Sequence, residues 1–241
     1  MIMTIIDYFE RTEIINLSER ADRRAETRKE FNRAGWPIET KKADFFTAIR
    51  PETATGFPSA SVKGSFLSHM EAIKKARHDN LANILIMEDD IAFVSEINSI
   101  GEEVLQELDQ VDWDFLYLGH QYRSDDSPEK RLEMVTEPLG LKHFYAVNGT
   151  VFDRFIAFLE EVLERPPGHP DGGPMYYDGA ISTFRMQNHD INTFVVNPSL
   201  GYQRSSRSDL HPISLLDQWA LLNPVTSWLR RLKNTIKRAG R

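Results

Sequence analysis

The chain has 241 residues, 41% hydrophobic and 27% charged, with a formal net charge of −7. That is the composition of a globular protein with a full core, and it excludes disordered and fibrous classes. The acidic balance argues against general nucleic-acid binding, which needs a basic surface, and the lack of cysteine excludes disulfides, thiolate metal sites and a cysteine nucleophile, as fits a reducing, cytoplasmic setting.

The opening MIMTIIDYFE is apolar at first but has no basic n-region or small-residue cleavage site, so it reads as structural. No run approaches the roughly 20 apolar residues of a membrane span. TEIINL (Thr12 to Leu17) reads as a strand, and SERADRRAETRKEFNRAG as a polar-faced helix from near Ser18 to Gly35. A strand is expected around Ile38 to Ala43, followed by a loop through RPETATGFPSAS, whose prolines and small residues disfavour regular structure. From Gly64, Phe66, Leu67, Met70, Ile73 and Ala76 form an apolar stripe at helical spacing. NILIM is a continuous apolar run, as expected of a strand covered on both faces of a parallel sheet.

EINSIGEEVLQELDQ reads as a helix, WDFLYLG as a strand and YRSDDSPEKR as a polar loop, with further strands near Arg131 to Val135 and His143 to Val147. TVFDRFIAFLEEVLER is a helix ended by Pro166 and Pro167. The glycine- and proline-rich PPGHPDGGPMYY leads into a short helix, DGAISTFRMQN, and a strand, INTFVVNP. At the C-terminus TSWLRRLKNTIKRAGR has no acid and carries Trp228, Leu229, Leu232 and Ile236 at helical spacing. Such a basic amphipathic helix can lie on an anionic membrane surface, as a peripheral contact, or pack on its own domain. Alternating strands and helices imply a single α/β domain with an open, mostly parallel sheet and helices on both faces. Ligands bind such sheets at the carboxyl ends of the strands.

There, after NILIM, stand Glu88, Asp89 and Asp90. Three adjacent carboxylates repel one another, and partial burial raises their pKa values further. No lysine or arginine lies within several residues on either side, so a divalent cation would compensate most directly. Alternation along an extended chain sends Glu88 and Asp90 to one side and Asp89 to the other. Two carboxylates on one side suit Mg²⁺ or Mn²⁺, whose other positions are filled by substrate phosphates and water. The residues alone leave a second reading open, an acidic helix N-terminus capped by Asp89 or Asp90.

In order and spacing, EIINLSERADRR, GSFLSHMEAIKKA and ILIMEDDIAFV resemble glycosyltransferase family 25, a group that includes bacterial lipooligosaccharide galactosyltransferases and collagen galactosyltransferases. The resemblance covers roughly the first half of the chain. It implies a GT-A-like, Rossmann-like fold over residues 1–212, with 213–241 as the basic helical tail. It also implies inverting transfer of a hexose, galactose or glucose, from a UDP-sugar with Mn²⁺ or Mg²⁺. The acceptor would be a hydroxyl of a glycan or lipid-linked glycan, in bacterial lipopolysaccharide or surface-glycan synthesis. Asp90 would bind the metal, and Glu88 the metal side or the ribose. His211 would be the third ligand, with His189 as the alternative.

An inverting transfer needs a base, and Asp178, opening a helix after a glycine-rich loop, is the first candidate, with Asp125, Asp126 and Asp171 in reserve; an ordinary N-cap is the competing use of Asp178. Asn16, Arg20 and Asp22 follow the first strand, where the nucleotide would lie; Arg23 there could equally be the solvated face of a helix. Lys63, Ser68 and His69 stand at a helix start, a place that attracts anions, although a histidine one turn inside a helix is often a structural hydrogen-bonder. GYQRSSRSDLH could close over the donor. Tyr176, Tyr177 and Trp113 could stack on a sugar ring or pack in the core. Two other classes compete: a two-metal phosphoryl or nucleotidyl transferase, against which no P-loop is present, and a non-catalytic relative that binds sugar nucleotides.

Overall fold

A computed structural model of the chain describes residues 3–122 and 130–204. The basic tail 213–241, His211, Asp125 and Asp126 lie outside the described residues. The described part forms one α/β layer structure around a seven-stranded sheet, ordered β2-β1-β3-β7-β5-β8-β6. The strands are β1 (Thr12–Asn16), β2 (Ala43–Thr47), β3 (Asn83–Glu88), β5 (Phe115–Gly119), β6 (Leu132–Met134), β7 (Phe144–Asn148) and β8 (Thr193–Val196). A short ribbon of β4 (Ile91–Phe93) and β9 (Gly201–Gln203) stands beside it. Strands β2, β1, β3, β5 and β8 run one way, while β7 and β6 are reversed. The sheet is therefore mixed but mostly parallel, as expected.

Period-two alternation sends successive side chains of the central strands to opposite faces. Ile84, Ile86, Phe115, Tyr117, Tyr145 and Val147 join one core with helices α3 (Ala60–His78), α5 (Phe152–Glu164) and α6 (Tyr177–Gln187). Leu85, Met87, Leu116, Leu118, Phe144 and Ala146 join the other, with α1 (Ile5–Tyr8), α2 (Ala21–Ala34) and α4 (Ile97–Leu108). Burial on both faces explains the uninterrupted apolar run of β3. None of the helices among the described residues is long and apolar enough to cross a membrane.

Several expected boundaries shift, each for a local reason. The second strand begins at Ala43 rather than ending there, because Thr12 to Asn16 pair in register with Ala43 to Thr47. Helix α3 starts at Ala60, four residues before Gly64, since the Ser59 side chain accepts the Val62 N–H and caps it. Helix α2 ends as expected, with Gly35 in the left-handed conformation at φ 72°. After β2 the chain crosses to the far side of β1 to form β3, so the strand order reverses around β1 and opens a crevice at the strands' carboxyl ends.

At the end of β5 the backbones close tightly. A Cβ added to Gly119 would lie 2.6 Å from His143 Nε2, 2.9 Å from Phe144 Cβ and 3.0 Å from the Gly201 carbonyl. Gly119→Ala is expected to lower the unfolding free energy by about 1–3 kcal/mol, the usual range for overpacking. A urea midpoint equal to that of the natural chain would contradict this packing.

Candidate active site

The crevice at the switch point is a cleft of about 390 Å³. Leu17, Glu19, Arg20 and Arg23, after β1, form one wall, and Ala48 to Pro51, after β2, form another. The first turns of α3 contribute Ser61, Gly64, Ser65 and Ser68, while Glu88, Asp89 and Asp90 form the acidic floor together with Gln203. Arg50 and Glu19 pair across the mouth.

The triplet finds its positive partners far away in sequence, where local inspection could not see them. Asp89 accepts from Arg23 Nη1 at 2.8 Å and from Asn16 Nδ2 at 2.7 Å. Glu88 is gripped by Lys142 on Oε1 and accepts from Gln203 Nε2 at 2.8 Å on Oε2. Arg204 donates from its backbone to the Asp90 carbonyl and from Nη2 to the Asp89 carbonyl, at 2.8 and 2.7 Å. The expected separation of Asp89 from its neighbours is corrected: β3 ends at Glu88 and the chain turns, so strict alternation stops and all three carboxylates line one cleft.

Their electrostatics differ. Burial alone would raise Glu88, but the Lys142 charge and then His69 outweigh it and hold the carboxyl well below the usual range. Asp89 is raised by burial, an effect that Arg23 and Asn16 only partly offset. Burial, and next the Glu88 charge, push Asp90 up to about 7. Arg23 Nη1 is 3.8 Å from Asp90 Oδ2, while Asp90 Oδ1 is buried with no hydrogen-bond partner. Among the described residues no three His, Asp or Glu side chains are grouped as a metal cage. A hard cation nevertheless needs only one or two carboxylates when phosphates and water complete its shell, and the unpartnered Asp90 oxygen fits one.

The other expected site residues divide. Arg20 lines the cleft and grips Asp22 through Nε and Nη2 at 3.0 and 2.9 Å, which, ahead of the effect of burial, lowers Asp22 to about 2. Asn16 is buried behind Asp89 rather than facing the cleft. Ser68 reaches the cleft with its hydroxyl already spent: it donates to the Gly64 carbonyl at 2.6 Å and accepts the Ile49 N–H at 2.8 Å, tying the β2–α3 loop to the helix. Lys63 bonds Thr55 at 2.9 Å and does not line the cleft.

His69 is fully buried and lies behind Glu88, so its expected contact with the nucleotide sugar is corrected. Tyr177 and Trp113 are buried too and pack in the core, Trp113 edge-on to Phe9; Tyr176 is exposed. His189 precedes β8 at the opposite end of the sheet, which rules it out as a ligand beside Asp90. Asp171 is exposed in the loop before α6. Asp178 is half-buried at the start of α6, outside the cleft lining, and accepts the Leu141 and Gly179 N–H groups at 3.2 and 3.0 Å. Lys142 was missed, since no local signal marks it; Gln203 and Arg204 fall in the GYQRSSRSDLH segment expected near the donor, but their contacts to the triplet are brought about only by the fold.

In an open α/β sheet the crevice at the switch point is where ligands bind, and here it has an arginine-bearing wall and an acidic floor. The sequence matches the family described as "Glycosyltransferase family 25 (LPS biosynthesis protein)" over residues 9–146, more than half of the chain. The chain belongs to that family. Procollagen galactosyltransferase 1-A of Xenopus laevis is 26% identical over 178 residues, 69% of this chain and 29% of that protein. Procollagen galactosyltransferase 2 of Homo sapiens is 28% identical over 152 residues, 58% of this chain and 24% of that protein. A Bos taurus protein named probable inactive glycosyltransferase 25 family member 3 is 34% identical over 85 residues, 34% of this chain and 13% of that one. The chain thus spans less than a third of the length of these curated relatives. Among solved structures, A197 from STIV aligns with a TM-score of 0.40 and 13% identity, covering 80% of this chain and 85% of that chain.

Burial, and next the Lys142 charge, lower His69 from an ordinary 6.5 to about 4. Between those values the unfolded chain binds a proton at this residue and the folded chain does not, so stability is lost as pH falls from 6.5 to 4. The full loss is roughly 3 kcal/mol. In His69→Gln the unfolding free energy should fall less steeply over this window. Parallel pH profiles for the two proteins would show that His69 is not the neutral buried group.

Proposed function

We propose that the cleft binds a nucleoside-diphosphate sugar with a divalent cation, and that the chain transfers the sugar to a hydroxyl of a glycan acceptor with inversion. The observation that carries this is the buried, unpartnered Asp90 oxygen at the end of an acidic floor faced by Arg20, Arg23 and Arg50. A donor diphosphate is the anion such a wall would receive, since guanidinium groups match phosphate oxygens. Asp90 would hold Mn²⁺ or Mg²⁺. When bound, that ion would offset the negative charge that develops on the departing nucleoside diphosphate.

Glu88, fixed by Lys142 and Gln203, keeps lone pairs for a donor hydroxyl. Asp178 stands one residue from the buried Tyr177 and bonds the Leu141 amide next to Lys142. We assign it the general base that takes the acceptor proton. A UDP-hexose donor, galactose or glucose, and a bacterial lipopolysaccharide or lipid-linked glycan acceptor complete the reading. The family description names LPS biosynthesis, and the curated relatives are named as galactosyltransferases.

A melting screen with UDP-galactose and UDP-glucose, with and without Mn²⁺, tests the donor and metal together. The expected outcome is a rise in Tm only when sugar nucleotide and metal are both present, abolished in Asp90→Asn. No shift with any combination would sink the reading. Asp178→Asn should lower kcat by about 10²–10⁴-fold while the donor-induced rise in Tm is kept. Donor binding without turnover on a broad glycan panel would favour the non-catalytic class, and released pyrophosphate or nucleoside monophosphate the nucleotidyl transferase class.

A further inference from the structure

Strands β6 and β7 stand three strand spacings apart in the sheet, with β8 and β5 between them, so the chain that joins them must cross roughly 14 Å. From Val135 to His143 it does so without regular structure. Its backbone groups are taken up instead by one face of α6, where Asp178, Ser182 and Arg185 stand at i, i+4 and i+7. Arg185 Nη2 donates to the Val135 carbonyl at 2.8 Å. The Ser182 hydroxyl donates to the Leu139 carbonyl at 3.1 Å and accepts the Leu139 N–H at 3.2 Å. Asp178 Oδ2 accepts the Leu141 N–H at 3.2 Å. The helix thus runs counter to the segment and holds it at three successive points.

What the segment delivers is Lys142. Leu141, just before it, has φ 73°, a left-handed conformation that costs a leucine energy. The adjacent Gly140, which could take that conformation freely, is not the left-handed residue. A chain at liberty to relax would place the turn on the glycine, so the surroundings dictate this backbone. Asp178 holds the Leu141 N–H on one side. On the other, buried Lys142 reaches Glu88 Oε1, and the His143 carbonyl accepts the Glu88 N–H at 3.0 Å. Ser182 and Arg185 are themselves buried and do not line the cleft, so any part they play there is played through the segment they hold.

We propose that Ser182 and Arg185 are positioning residues of the cleft: by clasping the Val135–Leu141 backbone onto α6, they set where Lys142 meets Glu88 on the cleft floor. The clasp explains why three polar side chains of α6 are spent on the backbone of an irregular connection. It also ties the floor to Asp178, the residue assigned as base, because Leu141 is bonded to Asp178 and is the chain neighbour of Lys142. The functional half of this inference rests on the cleft being the donor site; the clasp itself does not.

Two measurements separate these halves. In hydrogen exchange on the full chain, the Leu139 and Leu141 amides should be protected although they lie in a connection, and Ser182→Ala should speed both by about tenfold. Arg185→Met should speed the same two amides. Unprotected amides in the natural chain, or an effect of Ser182→Ala confined to Leu139, would overturn the clasp whatever the protein binds. For the cleft, calorimetry with UDP and Mn²⁺ should show Ser182→Ala weakening binding about fivefold in the natural background and less than about twofold beside Lys142→Met, because residues in one network couple. Should Lys142→Met not fold, adding Glu88→Gln leaves no charge stranded and supplies the second background. A Ser182→Ala chain that binds UDP as tightly as the natural one, or equal losses in the two backgrounds, would overturn the positioning role. If the natural chain binds no UDP, the donor reading fails, and the amides still decide the clasp.

Discussion

Three carboxylates at the end of a strand buried on both faces are the constraint around which this molecule is arranged. Desolvated like charges cannot stand together without positive partners, and here the partners come from three separate parts of the chain. Arg23 arrives from α2, Lys142 from the approach to β7, and Arg204 from the end of the β4–β9 ribbon. Each long-range contact pins one element to the end of β3. Removing one partner strands a buried charge, which is far costlier than losing a surface ion pair. The same requirement explains why the two cores on opposite faces of the sheet are sealed around one polar edge.

The wall that faces this floor depends on a different device. The β2–α3 loop is drawn onto the helix by Ser68, which bonds Gly64 and Ile49 together. Gly64 permits the approach, since a Cβ there would sit 2.5 Å from the Ile49 carbonyl. In the Gly-Ser-Phe-Leu-Ser-His stretch the glycine and both serines line the cleft wall, and the histidine backs the floor. Arg20 is paired with Asp22 beside it and Arg50 with Glu19 across the mouth, which keeps an arginine-rich surface from repelling itself.

How much of this could be read from the residues follows from the range of the forces involved. The alternation of helices with buried strands, the two-faced sheet and the acidic strand end are local patterns, and they were legible. The reversed directions of β7 and β6 were not, because a strand covered on both faces has the same apolar run whichever way it points. Helix α1 and strands β4 and β9 are too short to carry a period. The misreading of His69 and Asn16 as ligand contacts has a single cause: both stand in the right segment, but side-chain direction relative to the cleft is a tertiary fact. The partners of Glu88, Asp89 and Asp90 are separated from them by 54 to 115 residues, beyond any local motif.

The β4–β9 ribbon gives the site an order of assembly. Gln203 and Arg204 close over the triplet from the last described residues of the chain, whereas the acidic floor itself is complete by Asp90. During synthesis the carboxylates emerge well before two of the groups that balance them. A chain cut at the end of the family-matched region, residue 146, would keep the motif yet leave its charges partly unanswered. The short matched segment is thus a poor minimal unit, since it lacks β9 and the two residues, Gln203 and Arg204, that reach back to the triplet.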